Sequence, residues 1–369
     1  MARAAGLLSR RRLALLGSFS DLDGSAMGSL RSVLRVYSLA RTPCTIPPMR
    51  FLVTGGTGFV GSHVVDALLA RGDAVTALVR DPNKLRWLEG RDVRLSPGDV
   101  ARGLGLEAGL DDADGVIHIA GVIKARTEAE FVEGNAGATR KLLEACAKSK
   151  RPLKSVVVVT SLAAAGPCGK GTTTRETDMC RPVSAYGRSK MAAEAACSEF
   201  ASRLPVVVAR PSIVYGPRDE AVLEIFRIVA WRLKPLPNPD QRLSLVHVRD
   251  LAAGLLAAAD RGKAGGKYHL AHAEVITARG LADRVEEAVG APAMAVGIPA
   301  AMLRIGAAIS ETLTGGRSIF NRDKVAEMLA EGWACDVGAA AGELEWSAKI
   351  GHVDGLLETG RWYREKGWI

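Results

Sequence analysis

Residues 51–61, which read FLVTGGTGFVG, constrain the fold more than any other part of the chain. Residues 51–53 form a short apolar run typical of a buried parallel strand. The SHVVDALLARG segment that follows Gly61 carries apolar residues at helical spacing. A strand, a glycine turn and a helix in this order are the context that a dinucleotide-binding fingerprint requires. The sequence therefore predicts that backbone N–H groups at the start of this helix hold the phosphates of a dinucleotide.

Three glycines of this loop have separate expected roles. Gly55 permits the tight turn, Gly58 lets the backbone approach a pyrophosphate, and Gly61 lets the helix pack close to the strand. The other loop residues that we expect to contact the cofactor are Thr57, Phe59 and Val60.

Strand-like and helical segments alternate as far as residue 211, which predicts an α/β fold with a doubly wound parallel sheet of the Rossmann type over residues 49–211. The later strands are expected at residues 73–79, 92–96, 114–120, LKSVVVVTS and LPVVVARPSIVYGPRD. After Ser212 the regular alternation is lost. We expect residues 212–369 to form a smaller C-terminal substrate-binding lobe of mixed α/β structure, with some chain crossing back to the sheet.

The first 48 residues differ in composition from the rest of the chain. They contain seven Arg, no Lys and two acids, so they carry +5 of the formal net charge of +9. Two interpretations compete: an Arg-rich organelle transit segment, or an upstream extension of a protein whose true start is Met49. On either interpretation we expect this segment to be disordered and to lie outside the fold.

Composition excludes several classes of protein. The charge of the body is spread without a dense basic run, which argues against a nucleic-acid surface. Six scattered cysteines without a C-x-x-C pair predict free thiols in a reducing compartment and no metal site. No apolar run is long enough to span a bilayer. We expect a cytoplasmic enzyme, or one of an organelle matrix if the first segment is a transit peptide, with a homodimer as the candidate assembly.

The end of the second predicted strand bears on which cofactor is bound. Arg80 at the strand end, with Lys84 one helical turn later, favours the 2′-phosphate of NADP(H). The alternative is that Asp81 binds the ribose hydroxyls of NAD(H) and that Arg80 is a solvated surface charge. Further strand ends on the same side of the sheet would place Asp99, Val100, Ala120 and Thr160 along the cofactor crevice. Tyr186 and Lys190 are also expected to contact the cofactor.

Tyr186 and Lys190 form a Y-x-x-x-K pair on a predicted helix whose plausible N-cap is Ser184. The spacing puts both side chains on one helical face, where an ammonium would stabilise a phenolate and lower its pKa. A hydroxyl at the neighbouring strand end, from Ser161 or Thr160, would hold a substrate carbonyl oxygen. This set predicts hydride transfer at a carbon whose oxygen exchanges a proton with Tyr186.

The chain resembles the extended short-chain dehydrogenase/reductases, in the NAD-dependent epimerase/dehydratase group. The motifs that carry the resemblance over residues 49–369 are TGGTGFVG (54–61), GDV (98–100), HIAG (118–121), TS (160–161), YGRSK (186–190), RPSIVYGP (210–217) and HVRDLA (247–252). The ALVRDPNK segment is similar to that of the dihydroflavonol-reductase and 3β-hydroxysteroid-dehydrogenase-like branch.

The resemblance implies a nicotinamide-dependent oxidoreductase acting on a secondary alcohol or ketone, with a nucleotide-sugar epimerase or dehydratase, or a non-catalytic nucleotide-binding subunit, as alternatives. It implies Tyr186 as proton donor and acceptor, Lys190 as its pKa partner and ribose ligand, and Ser161 as substrate orienter. It also implies that Pro211 and Val214 lie along the nicotinamide. Asp250 would fix the small lobe.

Other residues have expected roles in substrate contact or in core packing. Tyr215 and Arg218 are expected where the second lobe meets substrate, with a surface charge as the equal alternative for Arg218. His118, inside an apolar strand, is expected to be a packed core histidine, and Cys168 and Cys180 receive no role. Core packing is expected for the apolar face of residues 297–313, with a cap over an apolar substrate or contact with a membrane surface as the alternatives. Packing is also expected for the C-terminal aromatics. The residues of the two groups are Ile298, Met302, Ile305, Ile309 and Leu313, and Trp346, Trp362, Tyr363 and Trp368.

Overall fold

Alternating strands and helices build the body of the protein, as the hydrophobic pattern predicts. The computed structural model describes residues 48–314 and 320–369, so the segment expected to be disordered lies outside the described residues except for Pro48. The strands are β1 (Arg50–Thr54), β2 (Ala74–Val79), β3 (Arg94–Pro97), β4 (Gly115–His118), β5 (Ser155–Val159), β6 (Val206–Pro211), β7 (Ile213–Tyr215), β8 (Leu233–Leu236), β9 (Arg242–His247), β10 (Lys267–Leu270), β11 (Val275–Thr277), β12 (Met294–Gly297) and β13 (Gly332–Trp333).

The helices begin with α1, which directly follows the glycine loop. They are α1 (Phe59–Arg71), α2 (Leu106–Leu110), α3 (Glu128–Val132), α4 (Ala138–Ala147), α5 (Leu162–Ala165), α6 (Ala185–Phe200), α7 (Leu223–Ala230), α8 (Val248–Arg261), α9 (Ala278–Val289), α10 (Ala300–Thr314), α11 (Arg322–Leu329), α12 (Gly338–Glu343) and α13 (His352–Glu365). A 3₁₀ turn spans Arg86–Leu88, and a π-helical turn at Glu133–Gly137 joins α3 to α4.

Seven parallel strands form the large sheet in the order β10-β6-β5-β4-β1-β2-β3. The order reverses direction between β1 and β4, which creates a crevice at the carboxyl ends of those strands. β5 is buried along its whole length, as its run of β-branched residues predicts. The prediction of a doubly wound Rossmann-type α/β fold is confirmed.

Both faces of the large sheet are covered by helices. On one face α1 and α8 pack together over the sheet, with Val64, Leu68 and Leu255 fully buried. On the other face α4 and α6 contribute Leu142 and Phe200 to a second apolar cluster. The sheet is therefore inaccessible except at its strand ends and edges.

The chain after β6 builds smaller sheets but also returns to the large one. β9 pairs with β7, β11 and β13 in one small sheet, and β8 pairs with β12 in another. β10 joins β6 at the edge of the large sheet, and α8 packs on its face. Residues 248–270 thus complete the nucleotide-binding fold.

Two expectations about buried residues hold. His118 is 2% exposed, and burial lowers its pKa to about 3, so it is a neutral core histidine between Thr54 and Thr139. Trp362, Tyr363 and Trp368 pack on one another, with the rings of Trp362 and Trp368 4.9 Å apart, and Trp346 is buried in the apolar cluster on the α8 face of the large sheet.

The core packing expected for residues 297–313 is wrong for three of the five residues named. Met302, Ile305 and Ile309 are 64%, 60% and 54% exposed. The reason is that α10 packs on α11 through the other side of the helix, at Leu303 and Ala307. Ile298 is half-buried against that cluster, and the side chain of Leu313 lies outside the described residues.

Candidate active site

The glycine loop between β1 and α1 has the geometry that a pyrophosphate site requires. Gly55 has a φ of +76°, and a Cβ there would lie 2.7 Å from the Ala120 nitrogen. A Cβ on Gly61 would lie 2.1 Å from the Gly55 oxygen. Gly58, the N-cap of α1, donates its N–H to the Gly55 oxygen at 3.0 Å and supplies no side-chain cap. The first N–H groups of the helix, including those of Phe59 and Val60, are therefore left for a ligand, and the loop fits a dinucleotide phosphate.

The ends of neighbouring strands extend this loop into a crevice. Ala120 follows β4 and donates its N–H to the Thr54 hydroxyl at 3.3 Å, so it lies directly beside the loop. Asp99 follows β3 and uses one carboxylate oxygen to accept the Ala101 N–H at 2.9 Å. Val100 is buried, and Thr57 is half-buried.

The residues expected to choose between the two cofactors lie at the end of β2. Arg80 is exposed, whereas Lys84 has its ammonium 3.4 Å from the Asp81 carboxylate. Asp81 accepts the Asn83 N–H at 3.0 Å, and this bond is the largest influence that lowers the pKa of the carboxyl group. The Asp81 carboxylate is therefore already bonded to residues of the turn that follows β2.

Tyr186 and Lys190 lie one turn apart near the start of α6. Ser184 caps this helix by accepting the Gly187 N–H at 3.1 Å, as the sequence predicts. The Lys190 ammonium lies 5.9 Å from the centre of the Tyr186 ring and donates to the Val159 carbonyl at 3.3 Å. The pair thus lies beside the end of β5.

Burial dominates the titration of both groups. It raises the pKa of Tyr186 to about 12, against the opposing effect of a hydrogen bond with Ser161. Burial also lowers the pKa of Lys190 to about 8. The phenol is therefore protonated at neutral pH and is able to donate a proton.

The two hydroxyls at the end of β5 face different neighbours. Ser161 is half-buried, interacts with Tyr186, and caps α5 by accepting the Ala163 N–H at 3.1 Å. Thr160 is buried and donates to the Glu194 carboxylate at 2.9 Å. Only Ser161 of the two is placed to meet a substrate beside the phenol.

Asn135 is a residue to which the sequence analysis assigned no role. It is 2% exposed in the π-helical turn, accepts the Val122 N–H at 2.8 Å and donates to the Ser189 hydroxyl at 2.9 Å. A Cβ on Gly121 would lie 2.8 Å from the side-chain oxygen of Asn135 and 3.0 Å from the Lys190 ammonium. Asn135 therefore fixes the loop after β4 against α6. The widened helical turn that orients Asn135 has no simple sequence signature.

A buried ion pair holds the same helix to the sheet. Arg210 at the end of β6 donates twice to Glu194 of α6, at 2.7 and 2.5 Å, and the two side chains are 0% and 3% exposed. Glu194 also accepts the Thr160 hydroxyl, and Lys267 lies 3.6 Å away. Glu194 is one helical turn after Lys190, so this network fixes the position of the helix that carries Tyr186 and Lys190.

The expectation that Tyr215 and Arg218 contact the substrate is wrong. Tyr215 is fully buried, with its hydroxyl 3.4 Å from His352. Arg218 binds Asp66 at 2.8 Å and lies over the ring of Trp87. Tyr215 is packed against α13, whereas Arg218 is held because the turn after β7 folds onto α1.

The residues expected beside a nicotinamide follow β6. Pro211 is buried and Val214 is half-buried in β7. Asp250 accepts the N–H groups of Lys349 and Ile350 at 2.9 and 2.7 Å, which ties the C-terminal segment to the start of α8.

One group of potential metal ligands lies outside this site. The ligand atoms of His272, Glu274 and His352 come within 4.8 Å of one another. His352 already bonds the Glu274 carbonyl at 3.0 Å, and the Glu274 N–H bonds His272 at 3.0 Å. The Glu274 carboxylate pairs with Arg284 at 2.7 Å. These contacts are all between groups of the protein, and they hold the loop after β10 in place.

Known proteins share both sequence and fold with this chain. It is 30% identical over 324 residues to a ceramide reductase of Caulobacter vibrioides, covering 86% of this chain and 95% of the relative. It is 32% identical to a putative dihydroflavonol 4-reductase of Synechocystis over 66% of this chain and 73% of the relative. A UDP-glucose 4-epimerase structure from Thermotoga maritima superposes with a TM-score of 0.72 over 86% of this chain and 99% of that one, at 24% identity.

The sequence model of the NAD dependent epimerase/dehydratase family matches residues 51–271, from the first strand of the large sheet to the end of its last. The prediction of an enzyme of the extended short-chain dehydrogenase/reductase type is confirmed, and the chain belongs to the NAD dependent epimerase/dehydratase family.

Proposed function

We propose that the protein is an NADP(H)-preferring reductase that converts a ketone on a moderately large, apolar substrate into a secondary alcohol. The observation that carries the proposal is the position of Tyr186, Ser161 and Lys190 beside the strand ends that continue from the glycine loop. A nicotinamide cofactor bound on that loop supplies the hydride.

The chain's own groups then handle the substrate oxygen. The Ser161 hydroxyl orients the carbonyl, and the protonated Tyr186 phenol donates its proton to the carbonyl oxygen. Lys190 carries the charge that stabilises the phenolate left behind. Because burial raises the pKa of Tyr186 to about 12, the resting side chain is in the protonated form that the reductive direction uses.

The similarity to a ceramide reductase over most of both chains supports a lipid-like ketone as substrate. Residues 212–369 are proposed to supply most of the substrate contacts. A panel should include a ceramide ketone, sterol ketones, flavonoid-like ketones and a UDP-sugar. Consumption of reduced nicotinamide measures reduction, and chromatography of the products measures epimerisation. Turnover of the UDP-sugar alone, with cofactor recycled, would assign the chain to the epimerases instead.

Replacing Arg80 with Ala is expected to weaken NADPH binding by about tenfold to a hundredfold and to leave NADH binding unchanged, because one charge-assisted contact to the 2′-phosphate is lost. Fluorescence titration of both cofactors measures this. The matched control is Arg361→Ala, since Arg361 is an exposed residue of α13. Tighter binding of NADH than NADPH by the unaltered protein, or an equal loss for both cofactors in Arg80→Ala, would contradict the assignment.

Ketone reduction is expected to fall as pH rises through about 8. Lys190, whose pKa burial lowers to about 8, is an ammonium below that pH and neutral above it, whereas Tyr186 stays protonated over the whole range. The phenolate formed by proton donation loses its stabilising charge when Lys190 is neutral. The measurement is kcat/KM against pH. In Lys190→Arg the charge persists to higher pH, so a decline near pH 8 that survives in this variant would assign it to another group.

A further inference from the structure

A cavity of about 500 Å³ lies between the helix pair α10 and α11 and the loops on either side of the catalytic serine and tyrosine. Its volume is within the range of small-molecule sites. Like the other described helices, neither α10 nor α11 is long and apolar enough to cross a membrane. Apart from two arginines, the residues that line the cavity are apolar. They are Pro167, Val183, Val325, Ala326, Leu329 and Ala330.

The two arginines that line the cavity are Arg304 and Arg322, and both are exposed. Arg322 is paired with Glu311 at 3.2 Å, which leaves Arg304 as the lining base without an ion-pair partner among the residues that the structure describes. One free base is a poor match for the diphosphate of a nucleotide sugar. No lining residue is aromatic, so the cavity offers no ring on which a flavonoid-like ketone would stack. The lining therefore favours an aliphatic ligand.

The loops that line this cavity belong to the segments that carry the candidate catalytic hydroxyls. Pro167 comes two residues after α5, the short helix that Ser161 caps. Val183 directly precedes Ser184, the N-cap of the helix that carries Tyr186. The cavity therefore begins within a few residues of both groups that would hold a substrate carbonyl.

The helix α11 contacts the start of the catalytic helix with the same face that lines the cavity. The Asp323 carboxylate accepts the N–H of Ala185, the residue before Tyr186. Ala326 lines the cavity three residues after Asp323, and helical geometry puts residues at that spacing on one face. Glu327 of the same helix adds to the effect of burial on the pKa of the Tyr186 phenol. The cavity and the phenol are thus neighbours across α11.

We propose that this cavity holds an aliphatic arm of the ketone substrate while the carbonyl lies between Ser161 and Tyr186. The inference rests on the proposed ketone reduction and adds the class of substrate, a ketone with an extended aliphatic chain. Ala326 is a specificity-determining residue in this arrangement, because a larger side chain at that position would occupy space that the chain needs.

The test compares 2-butanone with 2-nonanone, which share the reacting methyl ketone and differ in the length of the aliphatic chain. In the unaltered protein with NADPH, kcat/KM is expected to be at least about a hundredfold higher for 2-nonanone, because each buried methylene adds to binding. In Ala326→Trp the ratio of the two kcat/KM values is expected to fall at least about tenfold. The matched control is Ala253→Trp, since Ala253 is an exposed alanine of α8 that does not line the cavity.

A binding measurement without turnover separates this inference from the proposed reaction. With oxidised cofactor in place of NADPH no hydride is available to the ketone, so calorimetric titration of 2-nonanone measures occupation of the cavity alone. Ala326→Trp is expected to weaken this binding at least about tenfold. The expected loss of binding in a protein that reduces neither ketone would support the cavity assignment and overturn the proposed reaction.

Equal kcat/KM for the two ketones in the unaltered protein, or an equal loss for both in Ala326→Trp, would overturn the cavity assignment and leave ketone reduction standing. Absence of both binding and turnover would overturn both proposals. UDP-glucose that binds more tightly than 2-nonanone, and is lost in Arg304→Gln, would assign the cavity to a nucleotide sugar. Thermal melting checks the fold of each variant. Val183→Trp, which narrows the cavity from another wall, is expected to give the same fall in the ratio and replaces Ala326→Trp if that variant is unstable.

Discussion

Replacing Tyr186 with Phe is expected to lower kcat for ketone reduction by about a hundredfold to ten-thousandfold, the contribution of a positioned proton donor. The substitution removes the phenolic O–H and keeps the ring that packs edge-on against Phe131 at 6.2 Å. Because the glycine loop is untouched, NADPH affinity should stay unchanged. Steady-state rates and a fluorescence titration of NADPH on the same preparation measure the two effects.

A second variant separates proton donation from orientation of the substrate. Ser161→Ala removes a hydroxyl that interacts with Tyr186 but leaves the proton donor in place, so a smaller loss of kcat is expected. Unchanged turnover in Tyr186→Phe would remove the phenol from the mechanism. A loss in Ser161→Ala that exceeds the loss in Tyr186→Phe would exchange the roles of the two residues.

The parts of the fold that local sequence specifies were predictable. The β-branched run of β5 has the composition of a doubly buried strand, and the glycine loop has its strand before it and its helix after it. The return of β10 to the edge of the large sheet was only partly predictable, because nothing in KYHL indicates that β6, more than 50 residues earlier, is its partner. Parallel pairing is decided by tertiary packing.

The exposure of α10 was not predictable from its pattern. An apolar face at helical spacing predicts burial in general, but only one side of this helix has α11 to pack against. Tyr215 shows the reverse error, since a polar ring near a strand end is consistent with a substrate contact but this ring is buried. Its burial depends on α13. Gly355 of that helix lies so close to the Tyr215 hydroxyl that a Cβ on Gly355 would be 2.6 Å from it.

The candidate active site also has a part that local sequence predicts and a part that depends on tertiary packing. Tyr186 and Lys190 are four residues apart on one helix, so helical geometry alone brings them together. Thr160 was predicted to bind the cofactor, and that role stays a prediction, since its hydroxyl is directed to Glu194. Nothing in the sequence indicates that Glu194 pairs with Arg210, because the two residues meet only through the packing of α6 against β6.

The Glu194→Gln variant is expected to lower the free energy of unfolding by about 3–5 kcal/mol, the cost of leaving a buried guanidinium without its counter-charge. Arg210 is 0% exposed, so its guanidinium is out of contact with bulk solvent that would otherwise replace the carboxylate. Urea denaturation measures the change.

The chain supplies a matched control on the same helix. Glu199 of α6 makes a two-bond pair with Arg140 at 2.7 Å for each bond, but its side chain is 54% exposed and that of Arg140 is 44% exposed. Glu199→Gln is therefore expected to cost less than about 1 kcal/mol. Equal costs for the two substitutions would show that burial does not set the strength of the Glu194 pair.

A double substitution then distinguishes stability from positioning. Glu194→Leu with Arg210→Met removes both charges, so most of the stability lost in Glu194→Gln is expected to return. Turnover should not return with it, because Leu cannot accept the Thr160 hydroxyl that joins the end of β5 to the helix carrying Lys190. Full recovery of both stability and kcat would show that the buried pair holds the sheet and the helix together without setting the geometry of the catalytic residues.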